Sequence, residues 1–208
     1  MLFGSVLAWK RLAALGLSPA VTKQMRYQQG QIAKIILPLQ LREAILLHCQ
    51  RKLQGTAGED KQKAAKAFGL MGGRMLGQEL AIECAIPLFH NARDSEAQRL
   101  FMDAAMSHHA TPSTTPFSQR GWVAEPSELD SALDTFRQQG VRLVGNYHMH
   151  RVAWEHDPLR DGPTELDMVL GRASRMFMFI ISMVRPDRPI IRAFFEGIKE
   201  LEVPVLII

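Results

Sequence analysis

The stretch that most constrains the fold runs from Glu125 to Glu196, where helical and extended character alternate at short, regular intervals. Residues 127–139 read as a helix, stopped at Gly140, the residue that most readily takes the left-handed turn ending a helix. Val141 to His150 reads as a strand, a polar loop runs to Gly162, and a second helix spans Thr164 to about Arg172. Met176 to Val184 and Ile190 to Glu196 are near-continuous apolar strands, followed by a last apolar run, Val203 to Ile208. Strands apolar on both faces need cover on both faces, so the rhythm implies an α/β chain with a mixed central β-sheet flanked by helices.

The first half fits the same plan. Ile32 to Leu37 is β-prone and ends at Pro38, after which helical spacing continues to Leu53. Gln54 to Lys63 is a polar loop or short polar helix. Ala67 to Gly73 and Glu79 to Ile86 read as paired strands joined by a turn around Leu76-Gly77. Ala104 to Gly121, rich in Ser, Thr and Pro, reads as the longest irregular stretch and is expected near the functional site. With 208 residues, 47% of them hydrophobic, one domain over residues 26–208 is expected. Residues 1–25 read as an N-terminal appendage, or as sequence ahead of a true initiator at Met25.

Charge and cysteine usage narrow the function. The net charge is +4, but Lys and Arg alternate with Asp and Glu along the chain, so no nucleic-acid partner is expected. Cys49 and Cys84 are too few for a disulfide framework or a thiolate zinc cage, and a reducing cytoplasm is the expected compartment. The apolar start, residues 1–9, is cut short by Lys10-Arg11, so neither a signal peptide nor a membrane span is expected. Gly69, Gly72 and Gly73 lack the Lys-Ser/Thr ending of a P-loop, and no nucleotide cofactor follows from them.

The chemistry concentrates around His148-Met149-His150. Alternate residues of a strand share a face, so the two imidazoles project together about 6 to 7 Å apart by strand geometry, within reach of one ion. Asp167, in Pro163-Thr164-Glu-Leu-Asp167, is the third candidate ligand, although Thr-x-x-Asp is equally a helix capping box. Pro126-Ser127-Glu-Leu-Asp130 has the same form with no His-x-His ahead of it, and there Asp130 reads as a cap. Two imidazoles and a carboxylate suit Zn²⁺ with a fourth position open, which favours hydrolysis over a structural clip. His108-His109 read as exposed loop residues, and His48 as a packed or surface histidine.

These residues resemble the JAMM/MPN+ zinc metalloprotease family, whose signature is a Glu, then His-x-His-Pro, then Pro-Ser-x-x-Asp. The resemblance extends over most of residues 31–197. Gly69 to Gly73 is similar to the family's glycine-rich first strand, Ile86 to Asn91 to its Pro-x-x-Asn segment, and Arg99 to Asp103 to its Arg-Phe-x-Asp strand. It implies a cytidine-deaminase-like sheet flanked by helices, zinc on His148, His150 and Asp167, and Thr164 as oxyanion donor. The implied activity is cleavage of peptide or isopeptide bonds at the tail of a ubiquitin-like or sulfur-carrier protein.

Three departures stand out. Arg151 replaces the Pro after the second His, and the loop to Asp167 is about six residues longer than the family's. That loop brings Trp154, Glu155, His156 and Asp157 near the metal, with Trp154 and His156 expected to contact substrate. Lys66 occupies the position of the family's Glu, so the proton must be moved by another carboxylate, with Glu59, Glu79, Glu83 and Glu155 as candidates. The alternative is a catalytically inactive scaffold of the same fold that binds a protein partner. A two-metal phosphohydrolase using His156-Asp157 ranks third.

Overall fold

Proline shapes both ends of the sheet. A computed structural model describes residues 32–56, 65–113 and 115–208 of the chain. Strand β1 (Lys34–Leu37) stops at Pro38, and helix α1 (Leu39–Gln54) starts directly after it and ends at Gly55, whose φ is 68°. Strands β2 (Phe68–Leu76) and β3 (Glu79–Leu88) form a hairpin. Helices α2 (Glu96–His109) and α3 (Pro126–Gln138) lead into β4 (Arg142–His150). Helix α4 (Glu165–Gly171) precedes β5 (Phe177–Ser182), β6 (Ile190–Phe195), β7 (Glu202–Val203) and β8 (Val205–Ile207).

The eight strands form one mixed sheet in the order β7-β6-β5-β4-β2-β3-β1-β8. β7 and β8 occupy opposite edges yet are separated in sequence by Pro204 alone, so the sheet curls until its edges nearly meet. Strand twist accumulated across the sheet supplies the curvature. The join is tied to β1, because the Ile35 amide donates to the Pro204 carbonyl at 2.8 Å. The expected mixed α/β sheet is therefore present, and it is nearly closed into a barrel. The final apolar run is split by Pro204 into strands at the two edges.

Each face of the sheet has its own core. Ile35, Met71, Tyr147, Phe179 and Ile181 pack with Ile45 and Cys49 of α1. On the other face Phe68, Leu70 and Leu88 pack on Leu129, Ala132 and Phe136 of α3, while Met178, Ile180 and Phe194 form a third cluster. Pairing of β4 with β2 shifts from Met71↔Gly145 to Gly72↔Leu143, so Val144 has no opposite residue. This bulge resets the alternation, and beyond it Tyr147 and Met149 enter the α1 side while Asn146, His148 and His150 share the other face.

Several expectations are corrected. Arg99 to Asp103 is not a strand, and Ala104 to His109 is not loop: both lie in α2, where Met102 and Met106, one turn apart, are buried. The apolar spacing of this amphipathic helix prevails over the Ser, Thr and Pro content, most of which lies beyond the helix from Thr111 onward. Asp130 does not cap α3. The helix begins at Pro126 with no side-chain cap, and Glu128 instead accepts hydrogen bonds from the Phe89 and His90 amides. The suggested appendage, residues 1–25, and Glu59 lie outside the described residues.

Gly69 lies opposite Tyr147, and a methyl group there would collide with the Tyr147 ring and the Ile86 carbonyl. Tyr147 has little room to yield, being fully buried with its hydroxyl 2.9 Å from His48 Nδ1. Gly69→Ala should lower the unfolding free energy by about 1–3 kcal/mol, the usual cost of overpacking. Urea unfolding followed by circular dichroism measures it, and an unchanged midpoint would show that the ring moves freely.

Candidate metal centre

His148 and His150 end β4 near the middle of the sheet, where flanking strands restrict both rings. In the ladders, His148 stands opposite Phe68 of β2 and Ile180 of β5, and His150 opposite Ser182. Both are buried, and their Nε2 atoms face each other at 3.1 Å. His150 Nδ1 lies 3.0 Å from the Arg160 carbonyl, which can only accept, so Nδ1 carries the hydrogen. In the neutral ring Nε2 then presents a lone pair. Burial, foremost, pulls the His150 pKa below its ordinary value and keeps the ring neutral, against the opposing pull of Asp167.

Asp167 reaches the same point from the first turn of α4. Its Oδ1 is 3.3 Å from His148 Nε2, and its Oδ2 is 3.5 Å from His150 Nε2. Burial would raise the carboxyl pKa, but the polar contacts with the adjacent His148 and His150 rings, His148 foremost, outweigh it and hold Asp167 well below the usual carboxylate range. The group stays ionised. Around a tetrahedral ion with bonds of about 2.0–2.1 Å, neighbouring donors stand about 3.3 Å apart. The separation of the two imidazoles, and that of each from one oxygen of the carboxylate, straddle that value, so the group could hold a metal ion.

The capping and ligand readings of Asp167 are compatible. Oδ2 accepts from the Thr164 amide at 2.8 Å and from its hydroxyl at 2.7 Å, while the Asp167 amide donates to Thr164 Oγ1 at 3.2 Å. Oδ1 remains directed at His148. A hydroxyl has one proton, and that of Thr164 is given to Asp167, so Thr164 holds the carboxylate in the resting site.

The three donors open onto a cavity of about 160 Å³. Trp154 lines it; Glu155 and His156 are exposed in the turn closed by the mutual Trp154–Asp157 backbone bonds and do not line it. His156 contacts the Trp154 ring instead, at 5.4 Å between centroids. Lys66 lines the cavity, whereas Glu79 pairs with Lys34 at 2.7 Å and Glu83 with Arg74 at 3.4 Å, away from it. His109 ends α2, 2.8 Å from Glu165 Oε1.

Four further residues shape the site without having been singled out in the sequence. Trp122 stacks on Phe68 at 4.8 Å and lies 6.2 Å from His148. Arg93, almost wholly buried, pairs with Asp103 of α2 and donates to the Phe117 and Arg120 carbonyls at 3.2 Å each, fixing the segment that carries Arg120 and Trp122 into the cavity. Arg160 sits in the loop between β4 and α4, longer than in the family whose motif the sequence resembles. Only that extra length hinted at it; nothing in local composition marks Arg93, Arg120 or Trp122.

No family model matches the chain, and no curated protein matches it. Among solved structures it is similar to the solution structure of a Desulfitobacterium hafniense protein determined by a structural genomics consortium. The two are 22% identical, with 84% of this chain and 92% of the other covered at a TM-score of 0.54. At that identity the likeness concerns the fold alone.

Removing the Thr164 hydroxyl should act on helix and ligand together. Thr164→Ala is expected to cost about 0.5–2 kcal/mol of stability through the lost cap. It should also weaken zinc binding roughly 10–100-fold, the usual effect of losing a partner that orients a ligand. Denaturant melts and competition with a zinc chelator read the two separately; an unchanged zinc affinity would confine Thr164 to capping.

Proposed function

We propose that the chain is a zinc-dependent peptidase of JAMM/MPN+ type, hydrolysing a peptide or isopeptide bond at the tail of a ubiquitin-like or sulfur-carrier-type protein. The observation that carries this reading is the donor spacing: two imidazole nitrogens and one carboxylate at 3.1, 3.3 and 3.5 Å, at the wall of a cavity. His148, His150 and Asp167 would hold the ion. Zinc bound there would supply Lewis acidity, bringing water toward ionisation at neutral pH and polarising a carbonyl.

The chain's own residues do the remaining work. His150, fixed by the Arg160 carbonyl, would keep its lone pair available to a bound ion, and Thr164 keeps Asp167 from rotating away. For Thr164 to donate to an oxyanion, its hydroxyl must first release Asp167. We place the protein in a reducing cytoplasm, consistent with two free cysteines, the buried Cys49 thiol being pushed up to about 12 by burial. No helix among the described residues is long and apolar enough to cross a membrane.

One observation favours a second reading, a non-catalytic scaffold on the same fold. Asp167 is the only carboxylate among the described residues lining the cavity, and Lys66 stands where the resemblance implies a Glu. The two-metal phosphohydrolase has less support, since His148, His150 and Asp167 are the one such cluster among the described residues.

Zinc content separates the readings. Wild type should hold about one zinc per chain, and His148→Ala and Asp167→Ala should lose it. At free zinc a hundredfold above Kd, wild type should gain about 2.7 kcal/mol of stability and Asp167→Ala none. Cleavage of a ubiquitin-like fusion by wild type but not by Asp167→Ala supports the peptidase. Zinc binding without cleavage supports the scaffold, and a wild type that binds no zinc overturns both the metal and the hydrolase.

A further inference from the structure

The cavity is unbalanced in charge. Among the described residues Arg120, Arg151 and Arg160 line it together with Lys66, and Asp167 is the one carboxylate, its charge already shared between two imidazoles and a helix cap. Arg160 differs from an ordinary surface arginine. Its side chain is 9% exposed, and its Nε and Nη1 are buried without a hydrogen-bond partner, although Nη1 lies 3.5 Å from the Asp157 carboxylate. Buried N–H groups are almost always paired, and a guanidinium left short of acceptors points to one that arrives from outside.

The loop holds Arg160 in place for such a role. Its φ is 49°, in the left-handed region that non-glycine residues avoid. Bonds on both sides impose it: the Arg160 amide donates to Asp157 Oδ1 at 2.9 Å, and its carbonyl accepts from His150 Nδ1. Ser182, opposite His150 in β5, donates to the preceding Leu159 carbonyl. The guanidinium lies 3.4 Å from the centre of the Trp154 ring, so one of its faces is covered. Arg120 lines the same cavity, and its repulsion of Arg160 is weaker than the attraction of the Asp167 and Asp157 charges.

We propose that Arg160, together with Arg120, forms an anion subsite beside the three metal donors, and that it takes a carboxylate of the substrate. This rests on the peptidase reading for what the substrate is, but not for the binding itself. The planar fork of a guanidinium matches the two oxygens of a carboxylate, and a peptide chain supplies one at its end or on an acidic side chain. Phosphate sites commonly add a cradle of free backbone N–H groups. Among the described residues Gly121 is the one glycine that lines the cavity, and a single backbone amide does not make such a cradle. The lengthened loop thus becomes the element that selects the substrate, with Trp154 as the plate on which Arg160 rests.

The test compares acetyl-Gly-Gly as free acid and as carboxamide, titrated by NMR into the full chain stripped of metal with a chelator. The acid should bind wild type at least about tenfold tighter than the amide, a preference that Arg160→Gln should reduce below about threefold. Arg120→Gln should reduce it partly. Arg160→Lys, which keeps the charge and loses the fork, should fall between. If Arg160→Gln fails to fold by circular dichroism, Arg120→Gln and Arg160→Lys decide by the same ratio. Equal binding of acid and amide overturns the proposal, as does a preference that survives these substitutions. Tighter binding of inorganic phosphate than of the acid overturns the choice of carboxylate. A preference seen only after zinc is restored, and unaffected by Arg160→Gln, places the carboxylate on the metal and removes the subsite. Failure of the chain to bind zinc leaves the metal-free measurement intact, so the two readings fail separately.

Discussion

The Asp167 carboxylate is shared between a helix and two imidazoles, and the site depends on that sharing. Oδ2 accepts the amide and hydroxyl of Thr164 and thereby fixes the first turn of α4, a helix of seven residues. Oδ1 is left pointing at His148. A short helix has little cooperative stability of its own, so its cap contributes a large share of what keeps it formed. The carboxylate in turn stays ionised in a buried position because its contacts with the two histidines outweigh desolvation. Neither half of this arrangement would hold the same geometry without the other.

The sheet makes the sharing possible. The bulge at Val144 sets which β4 side chains face α1 and which face the cavity; without it, one residue of slip would exchange them. Tyr147 and Met149 are thereby committed to the larger core, and His148 and His150 to the opposite face. Gly69 clears the space that the Tyr147 ring fills, so the glycine-rich character of β2 serves packing. The loop between β4 and α4 returns to the sheet at Leu159 and Arg160, where its carbonyls engage Ser182 and His150. One residue therefore orients a candidate ligand through its backbone while its side chain charges the cavity wall.

The legibility of the site followed from how local its signals were. His148 and His150 lie two apart on a strand, a spacing that places them on one face whatever the fold. Asp167 was ambiguous because a capping box and a ligand use the same residue at the same position, and the structure shows both uses at once. The α2 helix is hard to see in the sequence because Ser, Thr and Pro further along mask two buried methionines one turn apart. Glu155 and His156 were expected at the site from their nearness in sequence, but the tight turn at Trp154–Asp157 directs them outward.

What the sequence determined by itself is the alternation of strands and helices from Glu125 onward and the pairing of two histidines on one face, because both depend on backbone periodicity within a few residues. What only the tertiary structure decided is the company they keep. Arg93, Arg120, Trp122 and Arg160 come from segments whose positions relative to β4 depend on long-range packing, on a curled sheet whose edges meet at Pro204, and on a bulge that no local pattern announces. Such contacts form between residues far apart in the chain, and local propensity carries no information about them.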